Sequence, residues 1–432
     1  MREKEYVAKN GVRIYAFENL AQHGFYLSLF VRAGSIYEKE SESGITHFLE
    51  HIAIRNIHHR MGEGLYAELD RFGLEFNAAT FNEMVHFYVS GAREHFAKGA
   101  EILCRVFSEI SLPRSEIDLE RLRIKAEIRE GDEKNSLATF TLCSLYPDSP
   151  LKNPIVGTLR SVSSITGRKL EAYRKSIFET ENLFFYATGA VGEGEIASLL
   201  QTVEKYALPR GEKRESLPLL PRSFGRRGGA VFLKGADFTM LRFNFDVDMS
   251  RVKSAELDLL YDLLLSGYGA RFFVEMSEKR GLFYDISGGI DRYKNAGLFY
   301  FSFEIKEKDV KESIAVVLEI LNDLKTNVCK EEDLIKAPYV DNAFLLYDDA
   351  RELNFTFSYD AHILGLPYRC LSDRVEAYRA VTGERIREVA KEVFSIENLS
   401  LTVKGNKKKL DAAVLSSYLR DGFAPSDGKK QN

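Results

Sequence analysis

The sequence contains no tryptophan, and only four of its 432 residues are cysteine. Cys104, Cys143, Cys329 and Cys370 are far apart and form no C-x-x-C pair, which excludes a disulfide scaffold and a zinc ribbon. No run of 18 apolar residues occurs, so no membrane-spanning helix is expected. The N-terminus also lacks the apolar stretch of a secretory signal, and we therefore expect a cytoplasmic protein.

A strong charge of either sign is missing as well. The formal net charge is −4 and the isoelectric point is about 6.2, so the chain has no basic footprint for a nucleic-acid partner. Apolar residues make up 45% and charged residues 29%, which is typical of a globular protein with an apolar core. The composition thus excludes disordered and fibrous chains.

Proline is scarce, with ten residues in all, yet three of them fall close together at Pro209, Pro218 and Pro221. Glycines and basic residues surround them, and this combination predicts an interdomain linker. An internal repeat flanks it: ITGRKLEAYRKSIFETENL begins at Ile165 and VTGERIREVAKEVFSIENL begins at Val381, 216 residues later. We therefore predict two homologous domains, 1–208 and 229–420, a linker at 209–228 and a flexible tail at 421–432.

Hydrophobic periodicity indicates strands and helices in both halves. Apolar and polar residues alternate in 25–33, 85–91 and 240–248, which predicts strands with one buried face, whereas 93–110 has the period of an amphipathic helix. Alternating strands favour sheets covered on one side. We therefore predict an α+β fold in which each domain is an antiparallel or mixed sheet packed with helices.

The segment GITHFLEHIAIRN contains the pattern H-x-x-E-H at His47, Glu50 and His51. Residues four apart lie on one face of a helix, so both imidazoles can reach one metal ion. Glu50 can reach a water beside that metal without being a ligand. This is the order of the inverzincins, and zinc suits a site of imidazole ligands, although manganese or cobalt could substitute.

A catalytic zinc needs a third protein ligand, commonly a carboxylate. The acidic helix predicted at 115–135 offers Glu116, Glu120, Glu127 and Glu130. Glu120 and Glu127 share one face two turns apart, so one could bind the metal while the other orients a histidine. The residues alone do not choose between them.

Several blocks together resemble the M16 zinc peptidases, the family of pitrilysin, insulin-degrading enzyme and mitochondrial processing peptidase. The blocks are VRAGSIYEKESESGITHFLEH, FGLEFNAATFNEMVHFY at 72–88, NPIVGTLRSVSSIT at 153–166, and ENL followed by a strand in each half. The resemblance implies that His47, His51 and Glu127 bind one Zn²⁺ per chain. It also implies that Glu50 is the general base and that Glu120 supports a ligand.

The same resemblance implies a substrate-binding edge strand and a further contact from the second half. The strand residues are Phe76, Asn77, Ala78 and Ala79, and the second-half residue is Tyr284. In the family an arginine stands seven residues before that tyrosine, but this chain has Ser277 there.

The function implied is a zinc endopeptidase that cleaves peptides or unfolded segments inside a chamber, including the processing of a bacteriocin or peptide-cofactor precursor. The family builds its chamber from four such domains, so a dimer is expected. Because Ser277 replaces the arginine, a heterodimer with a zinc-less homologous subunit is favoured over a homodimer. The alternative is a non-catalytic structural or peptide-binding subunit of an M16-like complex.

Overall fold

The computed structural model describes residues 2–131, 136–216, 230–234, 239–283, 286–330, 332–405 and 410–423. The predicted linker at 209–228 lies within these ranges only as far as residue 216, and the predicted tail only as far as residue 423. Among the described residues, no helix combines the length and apolarity needed to cross a bilayer.

The predicted segments 25–33, 85–91 and 240–248 are strands, with ends within two residues of the prediction, and they are among eleven strands in the described residues. The eleven strands are β1 (Lys4–Val7), β2 (Arg13–Glu18), β3 (Gly24–Val31), β4 (Glu75–Thr80), β5 (Val85–Ala92), β6 (Leu183–Gly189), β7 (Ala230–Lys234), β8 (Thr239–Asp248), β9 (Ile286–Arg292), β10 (Ala296–Ile305) and β11 (Leu399–Gly405).

The helices in the part of the chain up to the linker are α1 (Ile45–Arg60), α2 (Leu65–Phe72), α3 (Phe96–Cys104), α4 (Arg114–Glu130), α5 (Leu137–Leu145), α6 (Leu159–Ser164), α7 (Gly167–Ile177) and α8 (Glu193–Val203). Those after it are α9 (Ser254–Leu265), α10 (Val310–Thr326), α11 (Glu332–Val340), α12 (Ala350–Ser358), α13 (Leu371–Arg379), α14 (Gly383–Val393) and α15 (Ala412–Phe423). The single helix predicted at 93–110 is instead α3 flanked by two short 3₁₀ turns, at 93–95 and 105–107.

Two mixed sheets confirm the predicted α+β class. The first has the order β1-β2-β6-β3-β5-β4 and the second β7-β11-β8-β10-β9. Each contains one parallel pair, β2 with β6 and β7 with β11, and is otherwise antiparallel. Apart from β1, the two sheets have the same topology. Each sheet packs against its own apolar core.

The compact units built on these sheets are not continuous halves of the chain. Unit 1 comprises residues 1–133, 148–216 and 344–373, and unit 2 comprises 134–147, 217–343 and 374–432. Helix α5, from the N-terminal half, therefore belongs to unit 2, and α12, from the C-terminal half, belongs to unit 1. Each half contributes one helical segment to the sheet of the other.

The repeated segments adopt the same local structure. Thr166 and Thr382 each cap a helix by accepting a hydrogen bond from the backbone three residues on. At the other end of α7, the amide of Asn182 donates to the carbonyl of Ile177, and Asn398 makes the equivalent bond to Val393 beyond α14. The residues shared by the two copies thus start and end the same helix before the same strand.

Candidate metal centre

Helix α1 carries the H-x-x-E-H pattern, and its position is fixed at the N-terminal end. Apolar side chains, including Phe48 and Ile52, are fully buried in the core of unit 1. The buried carboxylate of Glu38 accepts hydrogen bonds from the backbone N–H groups of Gly44 at 2.7 Å and Thr46 at 2.9 Å. These bonds satisfy donors that the first turn of a helix leaves unpaired.

The start of α1 packs against a distant part of the chain through two glycines, Gly44 and Gly157. Both have left-handed φ values, 88° and 76°. A Cβ atom on Gly44 would lie 2.7 Å from the Cα of Gly157, and one on Gly157 would lie 2.4 Å from the carbonyl oxygen of Ser43. The two backbones therefore approach more closely than any side chain would allow.

His47, His51 and Glu127 form a cluster whose ligand atoms all lie within 4.8 Å of one another. The Nε2 atom of His47 is 3.6 Å from Oε1 of Glu127, and Nε2 of His51 is 3.9 Å from Oε2. Ligand atoms of a tetrahedral zinc are about 3.3 Å apart, given metal–ligand distances near 2.0–2.1 Å. The cluster thus has the ligand types, number and approximate spacing of a catalytic zinc site.

The state of His47 also fits a metal ligand. Burial and the nearby charge of His51 lower its pKa to about 3, so the imidazole is neutral, the form that binds metal. Its Nδ1 atom is buried and has no hydrogen-bond partner among the described residues.

His51 is held by the second acidic residue of the predicted pair. Its Nδ1 atom lies 3.5 Å from Oε2 of Glu120, whose other oxygen accepts a 2.6 Å hydrogen bond from Arg123. Burial lowers the pKa of His51, but the Glu120 contact and the charges of Glu50 and Glu127 more than offset this, so the pKa is raised. Glu120 is only 3% exposed, whereas the Glu127 side chain is 48% exposed and faces the cluster.

Glu50 is buried beside the cluster and is not one of its three members. The hydroxyl of Thr80, the last residue of β4, donates a hydrogen bond to Oε2 of Glu50. Burial raises the pKa of Glu50, and neither this hydrogen bond nor the positive charge of His51 cancels the effect.

Strand β4, which contains Phe76, Asn77, Ala78 and Ala79, lies at the edge of the first sheet. The backbone N–H of Phe81 donates to the carbonyl of Met84 in the turn to β5. Because hydrogen-bonded pairs alternate in an antiparallel ladder, the N–H groups of Phe76, Ala78 and Thr80 point to the open side of β4. There the side chain of Asn77 accepts a 2.8 Å hydrogen bond from the N–H of Ala78.

Tyr284 lies outside the described residues. Ser277, at the position of the family's arginine, is half-buried in unit 2. The two arginines nearest to it in sequence are engaged in ion pairs: Arg271 with Asp323 at 2.5 Å, and Arg280 with Glu275 at 2.9 Å.

The sequence reasoning missed Glu38 and Thr80, which hold α1 and Glu50 in place. Glu38 lies six residues before Gly44, so a capping carboxylate before the motif was a readable signal. Thr80 follows the predicted edge strand, but only the packing of α1 against β4 shows its contact with Glu50.

Comparison with known proteins agrees with this geometry. A family profile described as insulinase (peptidase family M16) matches residues 15–159, and one described as the peptidase M16 inactive domain matches 164–337. An uncharacterized zinc protease of Rickettsia felis is 26% identical over 342 residues, 76% of this chain and 79% of that protein. The mitochondrial-processing peptidase subunit beta of Caenorhabditis elegans is 25% identical over 424 residues, 92% of this chain and 88% of that protein.

A solved structure shares the fold over nearly the whole length. The crystal structure of a peptidase M16 inactive domain from Pseudomonas fluorescens aligns with a TM-score of 0.81 at 16% identity, covering 94% of this chain and 98% of that one. The two family profiles together span most of the sequence, one over the H-x-x-E-H motif and the other over the segment that follows. The chain belongs to peptidase family M16.

Proposed function

We propose that this protein is a zinc-dependent endopeptidase that hydrolyses peptide bonds in extended peptides or unfolded segments. The observation that carries the proposal is the His47–His51–Glu127 cluster with the Glu50 carboxylate beside it. The names of relatives such as the Rickettsia felis zinc protease support the same chemistry. We propose one Zn²⁺ per chain.

A Zn²⁺ ion held by these three side chains would supply a Lewis acid that polarises the scissile carbonyl and lowers the pKa of a bound water. Glu50 accepts the proton of the attacking water and returns it to the leaving amine. Thr80 holds Oε2 of Glu50 in position, and Glu120 fixes the ring of His51 through Nδ1.

Strand β4 is the proposed substrate-binding edge. An extended peptide can pair with the open N–H and C=O groups of Phe76, Ala78 and Thr80 by β-augmentation. For this the carboxamide of Asn77 must release the N–H of Ala78 and turn to the peptide. Backbone pairing binds peptides with little dependence on their side chains.

The test uses a quenched fluorescent peptide library. We expect cleavage by the zinc-loaded protein in its assembled form, with the homologous subunit co-expressed, loss with 1,10-phenanthroline and recovery on adding zinc. Glu50→Gln should keep its bound zinc, measured by atomic emission, but lose hydrolysis. Full hydrolysis by that variant, or cleavage indifferent to the chelator, would contradict the proposal.

We further propose that a second, zinc-less homologous subunit completes the enclosed site. Ser277 stands where the family has an arginine, and Arg271 and Arg280 are already ion-paired, which supports an arginine supplied from elsewhere. The alternative assembly is a homodimer. The cytoplasmic location and a precursor peptide as the substrate remain predictions. Light scattering gives the molar mass of the purified chain with and without a co-expressed homologue, and peptide cleavage is measured on the same samples. Cleavage by a species with the mass of one chain would contradict the proposed assembly.

A further inference from the structure

Three aromatic rings lie together where β4 ends, and the proposed hydrolysis does not use them. The ring of Phe81, in the turn after β4, is 5.8 Å from that of Phe355 on α12. Phe355 in turn stacks on Tyr359 at 5.8 Å with the two planes 6° apart. Phe81 is 37% exposed and the other two rings are half-buried, so the group forms an open apolar surface within unit 1.

This surface is on the opposite face of β4 from Glu50. The cross-strand partner of Ala79 is His86, whose ring lies 6.0 Å from that of Phe355. Because cross-strand partners point to the same face, the methyl group of Ala79 faces α12. Thr80, one residue on, points to the other face and contacts Glu50.

Ala79 leaves space at the very edge of the sheet. As an alanine paired with His86, it places only a methyl group on this face at the open side of β4. A larger residue at 79 would cover the approach to Phe355. We name the surface of Ala79, Phe81, Phe355 and Tyr359 the aromatic shelf.

A peptide paired with the open side of β4 presents its side chains alternately to the two faces of the sheet. Side chains on one face meet α1 and the metal cluster, and those on the other face meet the aromatic shelf. The second set includes the residue adjacent to the one that faces Glu50.

We propose that the aromatic shelf is a specificity subsite that binds a large apolar side chain, aromatic or branched aliphatic, of the peptide substrate. The inference rests on the proposed function, because it places the peptide along β4. A large apolar side chain buries much more surface against the three rings than a small polar one such as serine, so it gains more contact there. Two of the rings come from residues 344–373, the segment that the C-terminal half contributes to unit 1; we call it the exchanged segment. The C-terminal half thus determines specificity next to a metal site carried by the N-terminal half.

The experiment measures binding separately from hydrolysis. Fluorescent peptides that differ only in Phe or Ser at one scanned position are titrated into zinc-loaded Glu50→Gln, and Kd is read from anisotropy. We expect one position at which Phe binds about tenfold more tightly than Ser, a factor of the size that burial of one apolar side chain provides in a pocket.

The variants Phe81→Ser and Phe355→Ala, made in the Glu50→Gln background, should reduce that preference to twofold or less while leaving the affinity for the Ser peptide unchanged. Phe344→Ala is the matched control, because Phe344 is an exposed ring on the same exchanged segment and is not part of the shelf. Phe81 is 37% exposed, so its substitution tests the shelf even where Phe355→Ala lowers the melting temperature.

The outcomes separate this inference from the proposed function. A Phe preference that persists in Phe81→Ser and in a folded Phe355→Ala overturns the shelf, as does a uniform affinity across all positions or no binding of any peptide. A preference removed by the shelf variants supports the shelf even where the wild-type protein cleaves none of the peptides, in which case only the proposed hydrolysis is wrong.

Discussion

Glu127 and Glu130 lie three residues apart near the end of α4 and are both exposed, but only Glu127 belongs to the metal cluster. We predict that Glu127→Gln weakens zinc binding by at least about 100-fold, because a neutral amide replaces one of three ligands and removes a negative charge from the site. Glu130→Gln should bind zinc like the wild type. Competition with a chromogenic chelator measures both affinities, and equal losses in the two variants would contradict the ligand assignment.

Thr80 offers a second prediction at this scale. Thr80→Val keeps the shape of the side chain but removes the hydroxyl that holds Glu50. We expect kcat to fall about tenfold, since a misplaced general base loses part of its contribution, with KM and zinc content unchanged. Thr80→Ser should retain most of the activity. A fall in zinc content, or an equal fall for Thr80→Ser, would show a structural effect instead.

A site residue could be predicted from the sequence when its position depends on local spacing along one helix, and not when it depends on how distant elements pack. The i, i+4 spacing of His47 and His51 defines one helical face, so the sequence alone was enough to place them together. The third ligand was open among four glutamates, and only family resemblance selected Glu127, because the choice depends on how α4 crosses α1. Thr80 and its contact with Glu50 depend on tertiary packing for which the sequence carries no local pattern.

At the scale of elements, period predicted the strands at 25–33, 85–91 and 240–248, and the repeat predicted that the two halves are alike. They did not predict the exchange of α5 and α12. Hydrophobic periodicity reports that a helix has a buried face but not which sheet covers it, so continuous domains were the natural interpretation. The boundaries 1–208 and 229–420 therefore describe the repeat in the sequence, whereas the compact units include segments from both halves.

Asn354 ties the exchanged helix α12 to the first sheet. Its amide donates to the backbone carbonyls of Tyr26 at 3.2 Å and Tyr186 at 2.9 Å, and its oxygen accepts a 2.7 Å bond from the hydroxyl of Ser28. All of these atoms are buried. The second sheet shows a related arrangement, in which Thr141 of α5 contacts Thr402 of β11 at 2.8 Å.

We predict that Asn354→Ala lowers the free energy of unfolding by about 2–3 kcal/mol, because several buried polar groups lose their partner at once. Ser28→Ala removes the hydroxyl that donates to Asn354 and lies 2.9 Å from Nε2 of buried His86, but it leaves the bonds to the two carbonyls intact, so it should cost about 1–2 kcal/mol. Urea denaturation followed by circular dichroism gives both values. If the two variants lose the same stability, the bonds to the sheet carbonyls contribute little.

For the whole molecule, the exchange means that the covalent linker is not the only connection between the two halves of the sequence. A cut between residues 217 and 229 produces an N-terminal fragment that still supplies α5 to unit 2 and a C-terminal fragment that still supplies α12 to unit 1. In each case the exchanged helix packs on a sheet and shares buried hydrogen bonds with it. Separating the fragments therefore requires both units to open.

We predict that the cut protein stays together and keeps its zinc. A specific protease site is inserted between residues 217 and 229. Once the purified chain has been cut there, size-exclusion chromatography should show both fragments eluting at the position of the uncut protein. Dissociation should occur only in strong denaturant, because the exposed sheet faces and unpaired polar groups make separation costly. Asn354→Ala in the same cleavable protein should lower the denaturant concentration at which the fragments part. If the fragments of the cut protein with Asn354 intact separate in buffer without denaturant, the exchanged helices do not hold the two halves together.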